Sequence, residues 1–174
     1  KIYLLNDSYQ KNFKSYNFHL LYKDLLNFCT VELSSFYFDI RKDSLYCDGI
    51  QSNRRKNCLK VLNILLECLL KWFAPILSFT TEEIFKLITK DSNLSIHLEK
   101  FVSIPEKWNN ESLAKKWEEI LSVREIANAS IELKRADKLI GSSLEADITI
   151  EVNKEKYELL KDYDFAEICI TSIA

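Results

Sequence analysis

Residues 52–75 read SNRRKNCLKVLNILLECLLKWFAP. Ser52 stands where a helix N-cap belongs, because its hydroxyl can accept from the open N–H groups of a first turn. Beyond it, Lys60, Asn63, Glu67 and Lys71 form one narrow polar stripe. Leu59, Leu62, Ile64, Leu65, Leu66, Leu69, Leu70 and Trp72 fill almost all the remaining circumference. A helix that is apolar nearly all round belongs inside a bundle, so this stretch predicts the central helix of a helical fold, running to Phe73 and stopped by Pro75.

Upstream, Phe18, Tyr22, Leu25, Cys29, Leu33, Phe36 and Ile40 recur at intervals of three and four, the spacing of one helical face. The β-branched Thr30-Val31 and the Ser34-Ser35 pair weaken that helix, so a kink or break is expected between about Cys29 and Ser35. A shorter helix is expected over residues 2–13. Downstream, Thr80 with Glu83 has the form of a capping box, and Phe79 with Ile84 that of a hydrophobic staple, predicting a helix to about Thr89. Residues 95–101 alternate as a brief extended segment closed by Pro105. A long helix is then expected from about Glu111 to Leu139, with Leu113, Trp117, Ile120, Leu121, Ala127 and Ile131 toward the core and Gly141 as its stop. After Gly141 the period changes to two: Ala146, Ile148, Ile150 and Val152 predict a strand, residues 154–163 a helix, and residues 166–173 a second strand. The expected fold is therefore mainly α, a helical bundle over residues 1–140 followed by a small α+β, strand-helix-strand piece over residues 141–174.

The scarcity of turn formers agrees with helices, since the 174 residues hold only two glycines and two prolines. With 47% hydrophobic residues the chain can bury a substantial core. Its five cysteines form no CxxC pair and read as reduced thiols of a cytoplasmic protein, with no metal site. Charges interrupt every apolar run well before a membrane could be spanned, and the first residues lack the order of a secretory signal. The missing initiator methionine and the apolar final residues 168–174 suggest a piece of a longer protein.

No converging nucleophile, base or carboxylate pair and no phosphate-binding glycine loop is visible, so no catalytic residue is expected. His19 and His97 read as structural or surface histidines. The net charge of -2 gives no global attraction to an anion, which leaves local clusters of cations to provide any. Arg41 and Lys42 end one expected helix, and Arg54, Arg55 and Lys56 begin the next across a short loop. Lys134, Arg135 and Lys138 lie at the end of the long helix, where Lys134 and Lys138 should share a face. Cations at a helix C-terminus complement its dipole with no ligand, whereas three cations in a first turn oppose it unless an anion is present. Tyr37, Tyr46 and Trp108 are aromatic residues able either to stack on unpaired bases or to pack in the core.

Residues 16–46, YNFHLLYKDLLNFCTVELSSFYFDIRKDSLY, resemble a stretch that isoleucyl-tRNA synthetases carry just after their catalytic domain. The string NFCTVELSSFYFDIRKDSLY carries most of that likeness. APILSFTTEEIF (residues 74–85) is similar to a later segment of the same family, and KLIGSSLEADITI (residues 138–150) to its junction with the C-terminal region. The resemblance implies the helical anticodon-binding bundle of a class I aminoacyl-tRNA synthetase, with isoleucine tRNA, through its anticodon stem-loop, as partner. It also implies catalytic and editing domains elsewhere in the same parent chain, and neither DNA nor a membrane as partner. The family's HIGH-like and KMSKS-like motifs are absent, as are the zinc-binding cysteines of many bacterial members. Hence no cofactor is expected in this fragment, while ATP and Mg belong to the parent ligase. The expected tRNA-binding residues are Arg41, Lys42, Arg54, Arg55, Lys56, Lys134, Arg135, Lys138 and Trp108. Two alternatives stand beside this: the corresponding domain of a sibling valyl enzyme, and a helical protein-interaction scaffold that binds no RNA.

Overall fold

Helices provide nearly all the regular structure of residues 1–91 and 93–173, which the computed structural model describes. Eight α-helices occur among these residues: α1 (Ile2–Lys14), α2 (Phe18–Asn27), α3 (Lys42–Tyr46), α4 (Asn53–Phe73), α5 (Ser78–Thr89), α6 (Glu111–Ala136), α7 (Lys154–Leu160) and α8 (Phe165–Cys169). They group into two compact units, Lys1–Asn109 and a second that begins at Asn110. The long helix α6 thus packs with the C-terminal segment. A functional division at residue 140 is a separate matter from this division by compactness.

In the first unit, α4 starts at the expected cap, the Ser52 hydroxyl accepting from the Arg55 N–H at 3.4 Å. Only part of its circumference is covered, contrary to the all-round burial expected. Cys58, Leu65, Cys68, Leu70 and Trp72 are buried, whereas Leu59, Val61 and Leu66 stay exposed. The core gathers Trp72 with Tyr9 of α1 and Leu21, Leu25, Phe28 and Leu33 of the second helical stretch. Two buried polar contacts tie α1 to α4: the Trp72 indole N–H donates to Asn6 Oδ1 at 3.0 Å, and the Tyr9 hydroxyl to the Trp72 carbonyl at 3.0 Å.

The expected break after Cys29 takes another form. Helix α2 continues without interruption into a π-helix, Phe28–Phe38. There the Ser35 hydroxyl donates to the Thr30 carbonyl five residues back at 2.9 Å, and the Thr30 hydroxyl to the Leu26 carbonyl at 2.9 Å. A π-helix bonds residues five apart, so Phe28 and Leu33 lie on the same side and both are buried. Much of the face implied by the spacing is kept: Leu25, Leu33 and Ile40 are buried and Cys29 and Phe36 half-buried, whereas Phe18 and Tyr22 are exposed and Leu21 and Phe28 are buried in their place.

Two further local expectations are corrected. Helix α5 begins at Ser78 after Leu77, with no side-chain cap. Thr80 is therefore inside the helix, and Phe79, at 93% exposure, forms no staple with Ile84. The expected extended segment at residues 95–101 contains a single 3-10 turn, Ile96–Leu98, capped by the Ser95 hydroxyl. The chain continues from it to buried Val102.

In the second unit, Asn110 Oδ1 accepts from the Leu113 N–H at 2.9 Å and starts α6. Ile120, Val123, Leu160, Ile168 and Cys169 form the core. Leu113, expected inside, is 46% exposed. The strand-helix-strand piece is not formed. Among the described residues there is no strand, only one isolated parallel bridge, Asp147 to Ile173. The alternation of Ile148, Ile150 and Val152 is real, but it packs an extended segment against helices instead of entering a ladder. Residues 166–173 fail as a strand because Asp164 Oδ1 accepts from the Glu167 N–H at 3.0 Å and caps α8 across Phe165–Cys169. Ala174, the last residue of the apolar run, lies outside the described residues.

Helix ends are closed without glycine. Tyr16, Lys90, Lys138 and Ile170 have positive φ, and neither glycine does. At the end of α6, Lys138 has φ 57°. The Lys138 and Leu139 N–H groups return to the Arg135 and Lys134 carbonyls, both at 3.0 Å. That is the paired closure of a Schellman motif, three residues before Gly141, the stop expected from sequence. A side chain in left-handed conformation costs about 1–2 kcal/mol.

Replacing Lys138 by glycine is expected to raise stability by about 1 kcal/mol, read as a higher midpoint in urea unfolding. Burial pushes the Tyr9 phenol up to about 12, from its ordinary 10.0. Its stabilising contribution is thus complete below about pH 10 and is lost as pH rises toward about 12. Tyr9→Phe is expected to cost about 1 kcal/mol at neutral pH and to make the alkaline fall in melting temperature shallower.

Candidate nucleic-acid interface

The first cationic cluster is assembled by α3, the loop over residues 47–52 and the first turn of α4, with α3 packed against α4. Residues 39–56 carry Arg41, Lys42, Arg54, Arg55 and Lys56 against Asp39, Asp43 and Asp48, a positive segment in a chain of net charge -2. Arg41 stands directly after the helical run that ends at Ile40, as expected, and is also the N-cap residue of α3, so that Lys42 starts a helix instead of ending one.

The cations have local partners. Arg41 lies over the Tyr37 ring, 6.0 Å from its centroid. Burial and the neighbouring Cys58 push the Tyr37 phenol up to about 12, with Arg41 acting in the opposite direction. Tyr37 therefore bridges Arg41 to α4, where Arg54 lies one turn before Cys58 and on the same face. Lys42 pairs with Asp39 at 2.5 Å, a contact that raises its pKa. The Lys56 ammonium donates to Gln51 Oε1 at 2.6 Å.

Arg55 turns back on the loop. Its Nη1 donates to the Asp48 carbonyl at 2.9 Å, while Asp48 Oδ2 accepts from the Ser52 hydroxyl at 3.0 Å. The chain thereby supplies a carboxylate of its own at the start of α4, which relieves the conflict between three cations and the positive end of the helix dipole. Beneath this arrangement Ser44 is fully buried, and its hydroxyl has no hydrogen-bond partner.

The remaining expected residues are not all brought together. Trp108 is 43% exposed and sits in a separate 3-10 turn, Glu106–Trp108, after Pro105. Lys134, Arg135 and Lys138 belong to the second unit. The left-handed turn at Lys138 takes it out of helical register, so the expected shared face with Lys134 is absent. Lys134 lines an apolar groove of about 700 Å³ with Ile126, Ile131, Ile148 and Ile150. Arg135 and Lys138 line a different cleft, and Arg135 pairs with Glu132 at 2.7 Å. The sequence reading missed the exposed pair Tyr46 and Ile50 as a unit, because apolar residues flanking Gly49 give no periodic signal.

The family whose pattern matches residues 1–150 is the anticodon-binding domain of tRNA ligase. The chain belongs to that family. It is 62% identical, over 174 residues, to an isoleucine–tRNA ligase of Pelagibacter ubique (strain HTCC1062), a match covering all of this chain and 19% of that protein. Similar proteins of the same name in Mesorhizobium japonicum and Bartonella henselae are 43% and 46% identical over 169 residues, 97% of this chain and 17% of each. The chain thus spans about one-fifth of the length of the curated relatives it matches. Among the described residues no helix is long and apolar enough to cross a membrane, and no group of three His, Cys, Asp or Glu is placed to hold a metal ion.

Arg55→Ala frees the Asp48 carbonyl and is expected to cost about 1–2 kcal/mol. Amide exchange over residues 47–52 should quicken, while exchange in α1 stays unchanged.

Proposed function

We propose that this chain is the anticodon-binding part of an isoleucine–tRNA ligase, a cytoplasmic enzyme that joins isoleucine to its tRNA using ATP and Mg. The observation that carries this reading is 62% identity across the whole chain to a protein of that name. The isoleucine names of the relatives favour it over a valyl sibling. In this reading residues 1–140 form the anticodon-binding part and residues 141–174 a junction to the rest of the protein. Amino-acid activation and editing belong to other domains of the parent, and the partner here is isoleucine tRNA.

RNA is held through its phosphates and read through its unpaired bases. Arg41, Lys42, Arg54 and Lys56 are proposed to contact the phosphates of the anticodon stem-loop, with Arg55 positioning the loop between them. Lys134, Arg135 and Lys138, on the second unit, would meet a different part of the backbone, and Trp108 an unpaired base. The Lys42–Asp39 and Arg135–Glu132 ion pairs are exposed. Such pairs are weak, so exchanging a carboxylate for a phosphate costs little.

The test is a salt titration of isoleucine tRNA binding to the full-length protein. Removal of one phosphate contact in Arg54→Ala should flatten the slope of log K against log salt by about 0.7 to 0.9. Stable association with another protein and no tRNA affinity at low salt would instead favour the scaffold reading.

A further inference from the structure

Taking the RNA-binding function as given, we infer that Tyr46, the last residue of α3, and Ile50, within the pinned loop that leads to α4, form a stacking platform for an unpaired base of the RNA. Tyr46 is 83% and Ile50 76% exposed, among the most exposed large apolar side chains of the first unit. Single exposed apolar residues are ordinary. Here two stand within five positions, on a backbone held from several directions.

The Cys47 and Asp48 N–H groups both return to the Asp43 carbonyl, at 2.9 and 3.1 Å, and the Ser52 N–H returns to the Gly49 carbonyl at 2.9 Å. The Arg55 guanidinium holds the Asp48 carbonyl. Between the two residues in the chain, a Cβ on Gly49 would meet nothing within 4 Å, so the loop is open there. A loop fixed in this way keeps the ring presented without further ordering, and little conformational entropy is then lost when a flat partner settles on it.

The surroundings select the kind of flat partner. Lys42 lies one helical turn before Tyr46 on α3, and so on the same face. Arg54 and Lys56 stand at the other end of the loop. Of the nearby carboxylates, Asp39 is taken by Lys42 and Asp48 by Ser52, while Asp43 accepts a thiol contact from Cys47 at 4.0 Å. An aromatic surface framed by cations suits a base whose flanking phosphates are anionic, the combination used for single-stranded nucleic acid.

The experiment uses the full-length protein and isoleucine tRNA transcripts carrying 2-aminopurine at unpaired anticodon-loop positions, whose emission is quenched by stacking. Tyr46→Ala should weaken binding at least fivefold, abolish the quenching and leave the salt slope unchanged, since stacking releases no counterions. Tyr46→Phe should retain both affinity and quenching, and Phe79→Ala, an exposed ring elsewhere, should change neither. If Tyr46→Ala binds and quenches like the unmodified protein while Arg54→Ala still flattens the salt slope, the platform is refuted and the tRNA reading stands. If Tyr46→Ala lowers the melting temperature without changing affinity, the ring packs on protein and the inference is likewise overturned. Absence of tRNA binding by the unmodified protein would refute the function itself.

Discussion

The indole of Trp72 is the point on which the first unit depends. It is fully buried, it lies edge-on to Phe28, and it is also in ring contact with Tyr9. Its N–H and its own carbonyl are both taken by residues of α1. A buried polar group left without a partner costs about 1–3 kcal/mol, so α1 can occupy few positions against α4 without leaving the indole N–H or the Asn6 amide unpaired. The hydrophobic surroundings supply attraction without direction. These two hydrogen bonds supply the register that places α1, and with it the second helical stretch, on one side of α4.

The other side of α4 is left partly uncovered, and the cationic loop stands at its N-terminal end. Tyr37 links that end to the π-helix through Arg41 and Cys58. The π-helix is therefore connected to the candidate interface, since Phe28 and Leu33, five apart, both enter the core and Tyr37 lies beside Cys58 of α4. Chemistry and packing thus meet at one irregular segment, although the residues proposed to touch RNA lie beyond it.

The cationic cluster also shows how a charge conflict is resolved locally. Arg54, Arg55 and Lys56 oppose the dipole of α4, and the sequence alone suggested that an external anion was needed. Asp48 and Ser52 relieve much of that conflict within the chain. Positive charge in the first turn is therefore weaker evidence for a ligand than it seemed. The pattern match over residues 1–150 and the identity with isoleucine–tRNA ligases carry the functional argument, with the loop geometry indicating where an RNA could rest.

Sequence by itself determined the helical class, the start of α4 at Ser52, the end of α5 at Thr89 and the family. These follow from local rules: a side-chain cap, a period of three to four, scarce glycine and recognisable strings. Tertiary structure decided which side chains of each helix are buried, because packing chooses among nearly equivalent apolar stripes. It also turned the alternating C-terminal segment into an extended strip and a capped helix, since alternation reports only which side chains point inward, and a strand needs a neighbouring backbone to bond. Among the cations, charge was legible in the sequence, but partnership was not. Whether an arginine reaches outward or back onto a carbonyl depends on where a loop folds, and no spacing along the chain encodes that distance.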